Sequence, residues 1–221
     1  MYKSIIFMFL VLLFLISCDK KETEAPIDMG YNYFPVEQSI YSIYEVDSIV
    51  WDDFNNSIDT FSYSVKLLID SQFVDNAGRT SYWWKKYAKT DSTNYTFSSN
   101  YSITKTSNRV ETSVENINEI NLIFPLYAGA RWNSNSLNSN TATDAICDDI
   151  DFQKTMLNNT YDSCASIVYL DDVNLAREFV HKAVFARNIG MIYEKRIHKE
   201  VKITGLRGYF TEYKIISYGK E

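Results

Sequence analysis

Residues 61–70 read FSYSVKLLID and alternate apolar with polar side chains. One face of this stretch carries Phe61, Tyr63, Val65, Leu67 and Ile69. The opposite face carries Ser62, Ser64, Lys66 and Asp70. A period of two residues is typical of a β-strand that buries one face and exposes the other.

The same alternation recurs along the chain, most clearly at residues 95–104 and 209–215. Further strands are predicted at about 39–50, 80–89, 109–115, 121–126, 166–170, 179–186 and 191–201. Turn residues at 75–78 and 188–190 separate neighbouring strand patterns, as in antiparallel hairpins. We therefore predict a single all-β, mainly antiparallel domain over residues 31–221, either a β-sandwich or a curved sheet like a half-barrel.

One stretch is ambiguous. In residues 171–182, Val173, Ala176 and Val180 also fit the spacing of a helix, and Asp171 or Asp172 is a suitable N-cap residue. We expect one short helix there.

The composition excludes several classes of protein. The 221 residues carry a net charge of −6 and are 46% hydrophobic, enough apolar surface for a core. Because a negative chain repels phosphates, we expect no nucleic-acid partner.

The N-terminus has the order of a bacterial lipoprotein signal. Lys3 precedes twelve apolar residues, Ile5 to Ile16, which are too few to span a bilayer. The segment Leu15-Ile16-Ser17-Cys18 resembles the lipobox, at which signal peptidase cuts before a lipidated cysteine. We predict that residues 1–17 are removed and that Cys18 carries the lipid. Residues 18–30 then form a flexible tether to the outer membrane, on its periplasmic side or at the cell surface.

Two cysteines remain once Cys18 is lipidated. Cys147 and Cys164 are separated by 16 residues, and an even pair in the cell envelope usually forms a disulfide. We expect this bridge, with two buried thiols or a metal site as the alternatives. A metal site would lack the nearby histidine that zinc usually takes.

Several short motifs resemble a group of uncharacterised Bacteroidetes envelope lipoproteins with the pattern YFPL…Y-x-V-D-S…FPL…WNGN…VGLVYKE. The matching segments are Tyr33–Val36, Tyr44–Ser48, Phe124–Leu126, Trp132–Asn135 and Ile189–Lys195. Ser39, Tyr41 and Ser134 stand where the group has Gly, Trp and Gly. The resemblance implies a β-rich envelope lipoprotein and implies no activity.

Catalytic signatures are absent from the sequence. It contains no G-x-S-x-G, H-E-x-x-H, P-loop or G-x-G-x-x-G motif. His181 shares a face with Phe179, Ala183 and Phe185, which favours a core histidine over a general base. We expect no catalytic residue, no metal and no cofactor.

Two groups of carboxylates allow other interpretations. Asp52 and Asp53 follow Trp51, but adjacent side chains on a strand point to opposite faces, so a hairpin tip is favoured over a glycosidase pair. The cluster from Asp144 to Asp151 lacks the spacing of an EF-hand, and whether it binds calcium stays open.

An aromatic and basic stripe is the best candidate for a binding surface. Trp83, Lys85, Tyr87 and Lys89 alternate along one strand, and such a stripe stacks on sugars or contacts anionic groups. Packing between strands also explains these residues and is the favoured interpretation. We expect the opposite face of this strand, with Trp84, to pack into the core.

Three functions follow from these observations. The first is a non-enzymatic, lipid-anchored binding or structural module whose partner is a glycan or an envelope protein. The second is a carrier that holds a lipid or another hydrophobic ligand in a curved sheet. The third is an envelope hydrolase without a recognisable motif.

Overall fold

The computed structural model describes residues 26–89 and 93–221, so the predicted signal peptide, Cys18 and most of the tether lie outside the described residues. The fold is all-β, as predicted. The strands are β1 Ile40–Asp52, β2 Ser57–Val74, β3 Thr80–Lys89, β4 Thr96–Lys105, β5 Arg109–Val114, β6 Ile117–Ile123, β7 Arg131–Asn133, β8 Asp144–Met156, β9 Asn159–Val173, β10 Arg177–Ala186, β11 Gly190–Lys202 and β12 Gly205–Lys220. The described helical structure is one 3-10 turn at Tyr31–Tyr33.

All twelve strands belong to one antiparallel sheet with the order β6-β5-β4-β3-β2-β1-β12-β11-β10-β9-β8-β7. All strands that are consecutive in sequence pair with each other except β6 and β7, and the first strand pairs with the last. The outermost strands, β6 and β7, approach one another, since Ile120 N donates to Ser134 O at 2.9 Å. The sheet is a nearly closed barrel with a seam between β6 and β7.

The seam is held by side chains in addition to that backbone bond. Trp132 Nε1 donates to Ile120 O at 3.0 Å, and Asn138 Nδ2 donates to Asn118 O at 2.7 Å. Tyr169 reaches across from β9 to donate its hydroxyl to Asn121 O at 2.9 Å. The exposed edge of β6, which would otherwise invite pairing with another chain, is thus partly covered.

One end of the barrel is closed by the segment before β1, residues 30–36. Tyr33 and Phe34 are buried there. Lys105 Nζ donates to Tyr31 O at 2.7 Å and to Phe34 O at 2.8 Å, and Asn188 N donates to Asn32 O at 2.7 Å. Since Lys105 ends β4 and Asn188 lies in the β10–β11 turn, we call this the closed end. The residues that immediately precede the segment also contact the barrel, because Arg187 pairs with Asp28 at 2.7 Å.

The helix predicted near residues 171–182 is wrong. The chain forms the end of β9, a turn and the start of β10 there, and the turn is fixed by Asn174, whose Oδ1 accepts from the backbone N–H groups of Ala176 and Arg177. The apolar spacing that suggested a helix comes from two strands joined by this turn. No helix in the described residues is long and apolar enough to cross a membrane.

The predicted Cys147–Cys164 disulfide is not formed in this structure, in which both cysteines are free and buried. The register of β8 and β9 explains the difference. Cys147 lies opposite Ile167, whereas Cys164 lies opposite Phe152. The two thiols consequently pack into separate parts of the core, Cys147 with Ala145 and Cys164 with Tyr161.

Candidate functional site

A cavity of about 550 Å³ lies inside the barrel. Its volume is in the range of small-molecule binding sites, roughly 300–1,000 Å³. Much of its wall is apolar or aromatic and includes Phe34, Leu67, Trp84, Tyr101, Phe185 and Met191. The polar part of the wall includes Lys86, Thr112, Asn121, Glu194, Arg196 and Tyr213. The cavity exists because inward side chains of a barrel this wide do not fill its interior.

The cavity is closed at one end and open at the other. Phe34 belongs to its wall and comes from the segment that blocks the closed end. The opposite limit is formed by Val114 and Ile117, which flank the β5–β6 turn, and by Tyr209 near the start of β12. These three side chains are 37%, 41% and 45% exposed, so the cavity reaches solvent there. We call this the open end.

A charged cluster projects from β10 and β11 into the cavity region. Glu194 Oε1 accepts from Arg196 Nη2 at 2.9 Å and lies 3.0 Å from His181 Nε2. His181 also stacks on Tyr169, with ring centroids 4.3 Å apart. The three groups come together because His181 is the cross-strand partner of Arg196, and Glu194 is two residues before Arg196 on the same face of β11.

The surroundings of this cluster shift its ionisation. Burial alone would raise the pKa of Glu194, but the charge of Arg196 and the hydrogen bond from His181 hold that pKa well below its ordinary value. Burial and the nearby Arg196 lower the pKa of His181. Glu194 is therefore ionised, and His181 is a neutral partner at pH 7.

A second basic group, Lys86, lines the wall on β3. Its Nζ lies 3.3 Å from the hydroxyl of Tyr213 and 5.9 Å from the centre of that ring. No carboxylate in the described part of the chain forms an ion pair with Lys86. Burial raises the pKa of Tyr213 to about 12, so its hydroxyl is a neutral hydrogen-bonding group.

A row of stacked rings lies towards the open end on the same inner face as Arg196. Phe179 and His198 stack with centroids 4.2 Å apart, and His198 and Tyr209 stack at 5.8 Å. These residues are paired across β10, β11 and β12. The row gives the rim of the cavity a flat aromatic surface on this side.

A smaller cavity of about 170 Å³ lies at the seam. Glu119, Asn121 and Tyr169 line both cavities. Because β7 is only three residues long, the wall beside β6 is incomplete, and the main cavity extends towards the seam.

The stripe predicted from the sequence lies on the outer face of β3. Trp83 stacks on Phe73 with centroids 4.4 Å apart, and Lys85 pairs with Asp70 at 2.8 Å. Tyr87 contacts Phe97, and Lys89 lies over the ring of Tyr95. The four residues share one face, and each already has a partner on a neighbouring strand or turn. Whether the stripe binds a ligand stays a prediction.

The other candidate residues are dispersed. His181 is a core histidine bonded to a neighbour, as the sequence favoured, and Asp52 ends β1 at a hairpin tip, where its Oδ1 accepts from Phe54 N and Asn55 N. In the acidic cluster, Asp144 pairs with Arg131 and Asp151 with Arg187. Residues 26–89 and 93–221 contain no group of three His, Cys, Asp or Glu side chains placed to hold a metal ion.

Sequence reasoning missed the residues of the cavity. One signal was present in β3, where Lys86 shares a face with Trp84, the face that we expected to pack into the core. A lysine on a core face is rarely buried without a partner, so its position indicated an internal polar space.

Comparison of the chain with protein-family models, with curated proteins and with solved structures finds no match in any of the three.

Proposed function

We propose that this protein is a non-enzymatic binding protein that carries a small, mainly apolar ligand inside the barrel. The observation that carries the proposal is the 550 Å³ cavity, walled by aromatic and aliphatic side chains and open at one end. A carrier requires such a space. A binding module that used only its loops would have no need of it.

The proposal extends to the location of the protein. The lipobox-like segment ending at Cys18 favours a lipid anchor in the cell envelope, and the resemblance to envelope lipoproteins agrees with it. Asp28 and Met29, which lie in the last part of the predicted tether, contact Arg187 and Leu126 at the closed end. An anchor attached there leaves the open end pointing away from the lipidated residue, free to exchange ligand.

A titration with N-phenyl-1-naphthylamine tests the proposal. This uncharged, aromatic probe becomes fluorescent in apolar surroundings. We expect saturable binding of one probe to residues 19–221 produced in a bacterial periplasm. Native mass spectrometry of the same preparation should show any ligand acquired in the cell as an extra mass that denaturation removes.

Two variants locate the site. Thr211→Phe adds a ring to the cavity wall, whereas Thr60→Phe adds the same ring to the exposed, outer face of β2. We expect Thr211→Phe to lose probe binding and Thr60→Phe to keep it. Absence of saturable binding in the unsubstituted protein, or equal binding by both variants, would contradict a carrier function.

A further inference from the structure

The geometry points to an amphipathic anion as the ligand, a molecule with an apolar body and one acidic head group such as a carboxylate. This inference rests on the proposed function, because it names the class of molecule that occupies the same cavity. It is carried by the two cations in the wall, Lys86 and Arg196, and by the neutral hydroxyls of Thr211 and Tyr213. We call these four residues the cationic face.

The side chain of Arg196 is more exposed than that of its partner, Glu194. The side chain of Arg196 is 41% exposed and that of Glu194 is 13% exposed. Only Nη2 of the guanidinium is bonded to Glu194, and a guanidinium has five N–H donors. Within the described residues the other donors bond to no protein atom, so they are available to an acidic group in the cavity.

Lys86 adds a second cation whose charge the described residues do not neutralise by an ion pair. Its neighbour Tyr213 is the cross-strand partner of Glu194, and Thr211 is the cross-strand partner of Arg196. The hydroxyls of Tyr213 and Thr211 therefore lie along the wall that joins the two cations. A carboxylate is the group that such a set of donors binds best, since hydrogen bonds between ions are the stronger ones.

The other acidic residues of the wall lie towards the edges of the cavity. Glu115 is exposed in the β5–β6 turn at the open end. Glu119 is half-buried at the seam and also lines the smaller cavity. The charge of Glu119 acts on Arg196, but within the described residues neither glutamate forms an ion pair with Arg196 or Lys86, so the donors of the cationic face remain available to a ligand.

The remaining wall suits the apolar body of the ligand. Phe34, Leu67, Phe185 and Met191 form it towards the closed end, and Trp84 lies beside them. Burial of a ligand's carbon atoms against these side chains provides the affinity, while the cationic face fixes the orientation of the head group.

The test compares two probes that differ in charge. 1-Anilinonaphthalene-8-sulfonate has the ring system of N-phenyl-1-naphthylamine with a sulfonate added. We expect Lys86→Met to weaken binding of the sulfonate about tenfold, the change expected when one charge-assisted hydrogen bond is lost. Binding of the uncharged probe should change less than twofold. Lys182→Met, which replaces an exposed lysine of β10 that pairs with Asp171, should change the binding of neither probe.

A second pair of compounds, a fatty acid and the alcohol of the same chain length, tests whether a carboxylate is preferred. Tetradecanoate should displace the uncharged probe at a lower concentration than tetradecanol does, and Lys86→Met should remove most of that difference. Should Lys86→Met fail to fold by circular dichroism, Lys86→Gln replaces it, since glutamine keeps a polar group without the charge.

The outcomes distinguish the anionic class of the ligand from the carrier function itself. If the uncharged probe binds and Lys86→Met affects both probes equally or neither, the ligand is not an anion, and only the carrier function stands. If neither probe binds the unsubstituted protein, the carrier function itself fails. A tenfold loss confined to the sulfonate and the carboxylate establishes the anionic class.

Discussion

His181 is enclosed by groups from three other strands. Glu194 and Arg196 face it from β11, the ring of Tyr169 covers it from β9, and Glu119 contributes a more distant negative charge from β6. Burial and Arg196 outweigh the two carboxylates, so folding lowers the pKa of His181 below its ordinary value of 6.5.

The lowered pKa predicts a loss of stability on mild acidification. Below pH 6.5 the unfolded chain binds a proton at this histidine and the folded chain does not, so the free energy of unfolding falls as the pH falls. We expect a loss of roughly 1 kcal/mol between pH 7.5 and 5.5, measured by urea unfolding.

His181→Gln should remove this part of the pH dependence. If the free energy of unfolding falls equally with pH in the unsubstituted protein and in His181→Gln, the loss of stability does not come from His181. The pH range stays above 4.5, the ordinary value for Glu194, whose lowered pKa adds its own loss of stability only in stronger acid.

The cysteines give a second prediction for single residues. Burial raises the pKa of Cys147 to about 11, and Asp148 and Asp149 add to the effect. We expect Ellman's reagent to find no reactive thiol in folded residues 19–221 and two in urea, without a reductant. Cys147→Ser should leave one. A mass two hydrogens short of the reduced chain, with no thiol in urea, would show that a disulfide forms after all.

The segment that blocks the closed end is an element held largely by Lys105. This lysine donates to two backbone carbonyls of the segment, and burial lowers its pKa. We expect Lys105→Met to destabilise the protein by about 2 kcal/mol, since each bond from a charged donor contributes about 1.5–3 kcal/mol and some of this is offset by the added apolar contact.

Hydrogen exchange distinguishes local release from general weakening. In Lys105→Met, amides of residues 31–36 should exchange faster than those of β11. Lys182→Met, which breaks an exposed ion pair with Asp171, is the control. It should change the exchange rate neither of residues 31–36 nor of β11. Uniform acceleration across all strands would mean that Lys105 does not act on this segment in particular.

Most strands were predictable and two were not, for a physical reason. Alternation of apolar and polar side chains from Phe61 to Leu67 identified β2, although the buried residues of this strand lie only between Val65 and Ile69. In β8 the register shifts three times, between Cys147 and Asp149, between Ile150 and Phe152, and between Phe152 and Lys154. Each shift interrupts the period of two, so the sequence of β8 does not resemble a strand. The short β7 offers too few residues for any pattern.

The cavity could not be predicted from the sequence. Alternation shows that Trp84 and Lys86 lie on the same face of β3, but it does not show which strands face each other across the barrel. The contact between Lys86 and Tyr213 joins residues 127 positions apart and depends on the pairing of β1 with β12. That pairing between the ends of the chain leaves no local signal.

At the scale of the whole molecule, the seam is the weakest part of the barrel wall. Trp132 is buried against Tyr169, with ring centroids 6.3 Å apart, and its indole N–H bonds to β6. We expect Trp132→Phe to keep the ring packing and lose the bond, which costs about 1–2 kcal/mol in urea unfolding because a buried carbonyl is left without this donor.

The same substitution should also change how fast a ligand leaves the cavity. Trp132→Phe should release N-phenyl-1-naphthylamine faster, with the cavity lining unchanged, because the seam opens more often. Trp51→Phe, on the outer face of β1 and far from the seam, is the matched control. Unchanged stability and release in Trp132→Phe would show that the backbone bond at Ile120 is sufficient to hold β6.

The pairing of β1 with β12 places the first and last strands of the chain side by side. Ile40 lies opposite Lys220, and Glu221 N donates to Ser39 O at 3.0 Å, so the chain enters and leaves the sheet side by side. A circular permutant that joins Glu221 to Pro26 through a short linker, begins at Asn140 and ends at Ser139 would retain every ladder, since both new ends are exposed. If residues 1–25 were placed before Asn140, the cavity would be unchanged while the predicted lipid anchor joined the barrel at the loop between β7 and β8, which would separate what the barrel binds from where it is tethered.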